Sequence, residues 1–280
     1  MLKAAKKKRV AHESSLTAII EKQIDIVKGG SQIRKAKYKA KPAIKPSSIG
    51  CPCLRKIYYD YNRVEPDYPF PLKAKKILIV GDILGDMLAE MLRQAGVLVD
   101  YRNKSNGQIP KSRHTGLPDP EFPLKDPEFE ISAKIDAVCI INDTLILGEF
   151  KTINAKGFDA LTEPKDDHKL QAAIYAKRFG VALKRGDYDH IPELMPFKDV
   201  GPKETRVFYL KKDNTDFKEY VMSEEMIDTA WNEVVDKSTQ IRNHTKNETL
   251  PETTWYFCDG CQFRDKCRAE YVVKKEDSTS

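Results

Sequence analysis

The stretch 134–152, KIDAVCIINDTLILGEFKT, constrains this chain more than any other. Two apolar-rich runs meet at Asn142-Asp143, residue types that accept the backbone of a tight hairpin turn. The pattern predicts a β-hairpin. Side chains alternate faces along a strand, so Glu149 and Lys151 share one face while Phe150 enters the opposite layer. Asp136, on the partner strand, is expected on the same face as Glu149 and Lys151. Two carboxylates converging beside a lysine offer hard oxygen ligands to a divalent cation and a positive group that positions or activates water.

The chain has 280 residues, enough for one large domain or two. Charged residues make up 32 % of it, and the mean hydropathy is −0.55. No apolar run is long enough to cross a bilayer, and the N-terminus MLKAAKKKRV lacks the apolar centre of a signal peptide. The expectation is a cytoplasmic protein without a membrane partner. A net charge of +6 permits a polyanionic partner without requiring one. The basic residues crowd into residues 1–45, with KKKR at 6–9 and RKAKYKAK at 34–41. Such a segment is either a solvated tail or an arm that touches nucleic-acid phosphates.

Cysteine spacing adds a second constraint, because six cysteines inside a cell are metal ligands or buried thiols more often than disulfides. Cys258, Cys261 and Cys267 form Cys-x2-Cys-x5-Cys near the C-terminus, and Cys51 and Cys53 lie near the other end. Cys139, inside an apolar strand, reads as a core residue.

Residues 11–30 have a helical pattern, with Ser14 or Ser15 as cap and Gly29-Gly30 as stop. Ser47-Ser48 are placed to cap a short helix carrying Cys51, Cys53, Arg55, Tyr58 and Tyr59. A longer helix is predicted over 77–95, with Ile83, Leu84, Met87, Leu88, Met91 and Leu92 as its apolar stripe. Its other side carries Asp82, Asp86 and Glu90, read either as a solvated face or as the source of an extra metal ligand. Residues 101–128 are expected to form a polar loop. A helix follows the hairpin and places His168, Gln171 and Tyr175 on one face, suited either to solvent or to substrate. Residues 205–212 and 217–222 read as paired strands, and Ser223 as the cap of a long final helix. Strands flanked by helices imply an α/β sheet with helical layers.

The ordered set Asp136, Glu149-Phe150-Lys151 and Gln171-x3-Tyr175 resembles the PD-(D/E)XK nuclease superfamily, in particular its RecB-like branch. Cys53-Leu54-Arg55-Lys56-Ile57-Tyr58-Tyr59 and Cys258-x2-Cys261-x5-Cys267 resemble the iron-sulfur nucleases of that branch, among them CRISPR-associated RecB-like exonucleases, AddB-type recombination nucleases and phage exonucleases. The likeness spans roughly residues 45–270.

The resemblance implies a restriction-endonuclease-like core, a mixed central sheet flanked by helices, over 46–273. An iron-sulfur subdomain would be built from 46–70 and 250–273, with a basic arm over 1–45 and a tail over 274–280. It implies that Asp136 and Glu149 bind Mg2+ or Mn2+ with the carbonyl of Phe150, and that Lys151 orients the attacking water. Gln171 and Tyr175, with His168 beside them, would order the active-site helix against metal or DNA. Cys53, Cys258, Cys261 and Cys267 would hold a [4Fe-4S] cluster, with Cys51 as alternative to Cys53. Four thiolates also suit a structural Zn2+.

One departure stands out, since Gly85 occupies the place of the branch's metal-binding histidine. Asp86 or Glu90 is then the expected substitute. The implied activity is a metal-dependent exonuclease acting on DNA with free ends or single strands, in recombination or repair, in the host cytoplasm if the chain is viral. The alternative is an accessory DNA-binding module that depends on a helicase or recombination partner.

Overall fold

The structure is a computed structural model that describes residues 42–254 and 258–269. The basic arm before residue 42, including the predicted helix over 11–30, and the tail lie outside the described residues. Two compact units divide the chain. The larger contains Pro42–Asp67 and the described part of Gly81–Ser280, and Tyr68–Val80 belongs to the other.

In chain order the elements are α1 (Pro46–Ile49), α2 (Leu54–Tyr61), α3 (Leu72–Gln94), β1 (Phe122–Asp126), β2 (Ile131–Ile135), β3 (Ala137–Ile141) and β4 (Thr144–Ile153). Then come α4 (Ala155–Asp159), α5 (Asp166–Lys184), β5 (Glu204–Lys211), β6 (Phe217–Val221) and α6 (Glu224–Lys246). A four-stranded mixed sheet runs in the order β3-β4-β5-β6, and β1 and β2 form a separate antiparallel pair.

The hairpin forms as expected. Asn142 and Asp143 both take positive φ, 47° and 57°, as a two-residue turn matching strand twist requires. β4 then pairs parallel to β5 through the α5 crossover, with Lys151 opposite Tyr209. One apolar cluster under the sheet holds Leu145, Leu147, Leu170, Ile174 and Phe179. On the opposite face Phe150 packs with Ala137, Cys139, Ile146 and Leu92, so Cys139 is a core residue.

Ser223 caps α6 by accepting from the Met226 N–H at 3.2 Å. Among the described residues no helix is long and apolar enough to cross a membrane.

Four local expectations change. Ser47 and Ser48 lie inside α1, and α2 starts only after Cys53, whose extended backbone (φ −91°, ψ 106°) places it at the N-cap. The helix read over 77–95 begins at Leu72, directly after Pro71. Its stripe is only partly inside: Leu88 is buried, whereas Ile83 and Met91 are 41 % and 54 % exposed. The segment read as loop over 101–128 contains β1, whose Phe122 and Leu124 are fully buried.

Candidate functional site

Asp136 occupies the break between β2 and β3, one residue before the first paired position of the hairpin, Ala137 opposite Gly148. Its Oδ2 accepts the Phe150 N–H at 2.7 Å, which pins the carboxylate beside β4. Glu149 and Lys151 point to one side of β4 as alternation demands, and they form an ion pair. Lys151 Nζ also donates to Gln171 Oε1 at 3.0 Å. Gln171 Nε2 reaches back to the Asp167 carbonyl at 3.4 Å. Tyr175 donates its hydroxyl proton to the Lys134 carbonyl at 2.9 Å. Sheet and helix thus bring Asp136, Glu149, Lys151, Gln171 and Tyr175 together. The polar face of α5 turns inward, with Gln171 and Tyr175 both buried.

Charge at this centre is unbalanced. Glu149 is 1 % exposed, and its Oε2 has no hydrogen-bond partner. Burial, and after it the Glu149 charge, hold the Asp136 carboxyl well above the ordinary carboxylate range. Burial acts against the charge of Lys151, but Glu149 and Asp136 outweigh it and raise its pKa. Burial, then the same two carboxylates, keep the Tyr175 phenol protonated. The set therefore comprises one firmly charged lysine and two carboxylates competing for it, an arrangement that a divalent cation would relieve.

His168 is engaged within the protein. Its Nδ1 lies 2.7 Å from the Tyr209 hydroxyl, which also accepts the Lys165 N–H at 3.0 Å. Burial, followed by the Lys151 and Lys165 charges, lowers its pKa to about 3, so the ring is neutral.

The acids of α3 are committed elsewhere. Asp86 Oδ2 accepts from Ser112 Oγ at 2.5 Å and from Thr115 Oγ1 at 2.8 Å. Asp82 pairs with His114 at 3.0 Å. Glu90 binds Gln94 at 3.0 Å and Arg93 at 2.5 Å. Asp86 and Asp82 therefore clamp a loop, and no hydrogen bond or ion pair among the described residues joins Asp86 to Asp136 or Glu149.

Sequence reasoning missed Glu121. Phe122 pairs with Ile135, so Glu121, one step outside β1, stands across from Asp136 and adds to the charge that raises it. Recognising the alternation in Phe122-Pro123-Leu124 would have revealed this strand. Among the described residues, no three His, Cys, Asp or Glu side chains already stand at single-ion ligand geometry.

A second feature lies at the ends of the described chain. Cys51, Cys53, Cys258, Cys261 and Cys267 all line one cavity of about 250 Å³, and all six cysteines are free thiols. The buried Arg55 donates from Nε to the Pro251 carbonyl at 2.7 Å and from Nη1 to Cys267 Sγ at 3.6 Å. Burial, then the neighbouring thiols Cys53 and Cys261, raise the Cys258 pKa. Tyr59 packs on Phe263 with ring centroids 5.1 Å apart, and the Lys266 N–H reaches Asp67 Oδ2 at 2.9 Å. Segments nearly two hundred residues apart are thereby tied together around the thiols.

No family model matches the sequence, and no curated protein matches it. Among solved structures, a crystal structure of SSO0001 aligns over 90 % of this chain and 95 % of that one, at 16 % identity and a TM-score of 0.45. An alkaline exonuclease (LHK-Exo) from Laribacter hongkongensis aligns over 85 % of this chain and 95 % of that one, at 10 % identity and a TM-score of 0.36. Overlaps of this size leave the chemistry to be read from this chain's own residues.

Proposed function

We propose that the chain is a metal-dependent nuclease of the PD-(D/E)XK type, of the RecB-like branch, hydrolysing DNA at free or single-stranded ends inside the cell. The observation that carries this reading is the buried, unpartnered Oε2 of Glu149, set beside Asp136 and Lys151 on a mixed sheet. A buried carboxylate oxygen without a partner costs about 1–3 kcal/mol or more, and a cation at that point removes the cost.

Asp136 and Glu149 would hold Mg2+ or Mn2+, with the Phe150 carbonyl as a further ligand. A bound ion there supplies a Lewis acid for the phosphate and lowers the pKa of water. Lys151 keeps its proton and aims a fixed positive charge where negative charge develops on the phosphate. Gln171 holds that lysine in place, and Tyr175 fixes α5 against the Lys134 carbonyl.

The thiol cavity would hold a [4Fe-4S] cluster through Cys53, Cys258, Cys261 and Cys267, with Cys51 as alternative to Cys53 and Zn2+ as the competing occupant. The fit rests on five thiols lining one space and on a buried guanidinium directed at one of them, Cys267. Burial outweighs Arg55 and holds that thiol protonated, a balance that a bound metal would reverse.

Anaerobic purification followed by an assay on end-labelled DNA with Mg2+ or Mn2+ tests both parts. The expected protein is brown and cleaves DNA, and Lys151→Ala binds DNA without cutting it. Equal cleavage by wild type and Lys151→Ala removes the assignment, and a colourless, zinc-loaded protein removes the cluster. A second reading, an accessory module dependent on a helicase or recombination partner, is favoured by the commitment of Asp86 to Ser112 and Thr115. It predicts DNA binding without cleavage by the protein alone.

A further inference from the structure

Gly50 stands where α1 gives way to the first cavity thiol, Cys51. A Cβ placed on it would fall 2.6 Å from the Cβ and 2.9 Å from the Cα of Asp167, in the first turn of α5. Side-chain carbons do not approach backbone so closely, and packed interiors yield little. The backbone of Gly50 is ordinary, with φ −69° and ψ −9°, so glycine is required here for space alone. The other side of the segment is clamped from α6, where Lys237 Nζ donates to the Ile49 carbonyl at 3.1 Å and to the Cys51 carbonyl at 3.5 Å. The chain between α1 and α2 therefore has a fixed seat on the start of α5.

That seat leads to the candidate site in two further contacts. The Asp167 carbonyl receives Gln171 Nε2 at 3.4 Å, and Gln171 Oε1 receives Lys151 Nζ at 3.0 Å. We propose that Gly50 is a positioning residue for Lys151: its missing side chain lets the segment leading to the thiols rest directly on Asp167, and this contact sets the Gln171 amide that holds the lysine. The inference rests on the reading of Lys151 as the working cation of the site. A contact chain alone does not demonstrate coupling, so the test perturbs one end and reads the other.

The experiment compares the purified full chain with Gly50→Ala, Gly50→Ala/Asp167→Gly and Lys237→Met. Amine-reactive labelling of each lysine is followed by mass spectrometry, alongside kcat and KM on end-labelled DNA, cysteine-bound metal content and circular dichroism. Gly50→Ala is expected to label several-fold faster at Lys151 with other lysines unchanged. Its kcat should fall on the order of 100-fold, the effect of an ångström-scale misplacement, with KM and metal content held. Removing the Asp167 side chain in the double variant should recover part of both.

If Gly50→Ala does not fold, Lys237→Met, which loosens the clamp from the far side, should still raise Lys151 labelling selectively. Wild-type labelling at Lys151 in a folded Gly50→Ala overturns the proposal, as does a rise shared by all lysines, a double variant with no recovery, or unchanged labelling in Lys237→Met where it is the only folded variant. If the wild type does not cut DNA, the nuclease reading fails, while the labelling pattern still decides the role of Gly50.

Discussion

Glu149→Gln should make the metal-free protein more stable, not less. The side chain of Glu149 is 2 % exposed, and one of its oxygens is unpartnered. The attraction of Glu149 to Lys151, which it touches, is on the order of 4 kcal/mol at an effective dielectric near 20, and the cost of taking the carboxylate out of water opposes that gain. Those two contributions nearly cancel when the charge is removed. Lys151 keeps Gln171, and Asp136, no longer held up by the Glu149 charge, is freer to ionise near it. What remains is the cost of an unpartnered buried charged oxygen, about 1–3 kcal/mol, which the amide escapes. For a chain of this length each kcal/mol moves the melting temperature by roughly 2–4 °C, so a rise of several degrees is expected in chelator.

Saturating Mn2+ should reverse the order. At about 100 times its dissociation constant an ion stabilises the wild type by roughly 2.7 kcal/mol, and the variant loses most of that gain. The pH dependence has a defined sign. The folded protein keeps the Asp136 proton that the unfolded chain releases near 3.8, so wild-type stability falls as pH rises from there through the raised folded value. Glu149→Gln should flatten that slope. Thermal scans with and without Mn2+ across pH measure all of this. A variant that melts lower in chelator, or keeps the full Mn2+ shift, refutes the charge argument.

Two further outcomes follow from the same geometry. The His168 pKa falls from 6.5 to about 3 on folding, so its contribution is complete above 6.5 and is lost on acidification towards 3, by up to ~1.4 kcal/mol per unit. His168→Gln should flatten the stability curve in that window, and an NMR titration that finds this ring charging near its ordinary pKa contradicts the assignment. Cys261→Ala should lower both metal content and melting temperature, because a thiol-bound centre closes a loop worth on the order of 5 kcal/mol in chain entropy. Full metal content with an unchanged melting temperature would show that the thiols are no staple.

The parts of the site legible in sequence were those governed by short-range rules. Alternation places Glu149 and Lys151 together, the Asn142-Asp143 turn fixes the hairpin, and helical spacing places Gln171 and Tyr175 on one side of α5. Asp136 needed only the hairpin register. β1 escaped notice because it is five residues long with Pro123 inside it, and Glu121 was hidden with it. The burial of α3 escaped for a tertiary reason: Ser112 and Thr115 draw Asp86 inward, while Met91 on the expected apolar stripe stays exposed. Gly50 carries no sequence signal, since its requirement comes only from Asp167, more than a hundred residues away.

The order of these dependencies bears on how the site works. Its acids come from the hairpin, its lysine clamp from α5, and the seat of α5 from a glycine that leads directly into the thiol-lined segment. Each joint is a backbone contact or a hydrogen bond, and the last of them, through the buried Gln171 amide, ties Lys151 to that frame. The carboxylates beside it are left undercompensated by that same frame. A rigid lysine next to a charge deficit suits binding a cation and a phosphate together, since neither requires the site to reorganise. It also explains why removing Glu149 should stabilise the empty protein while removing its proposed function, the usual sign that a fold retains strain at the place where it acts.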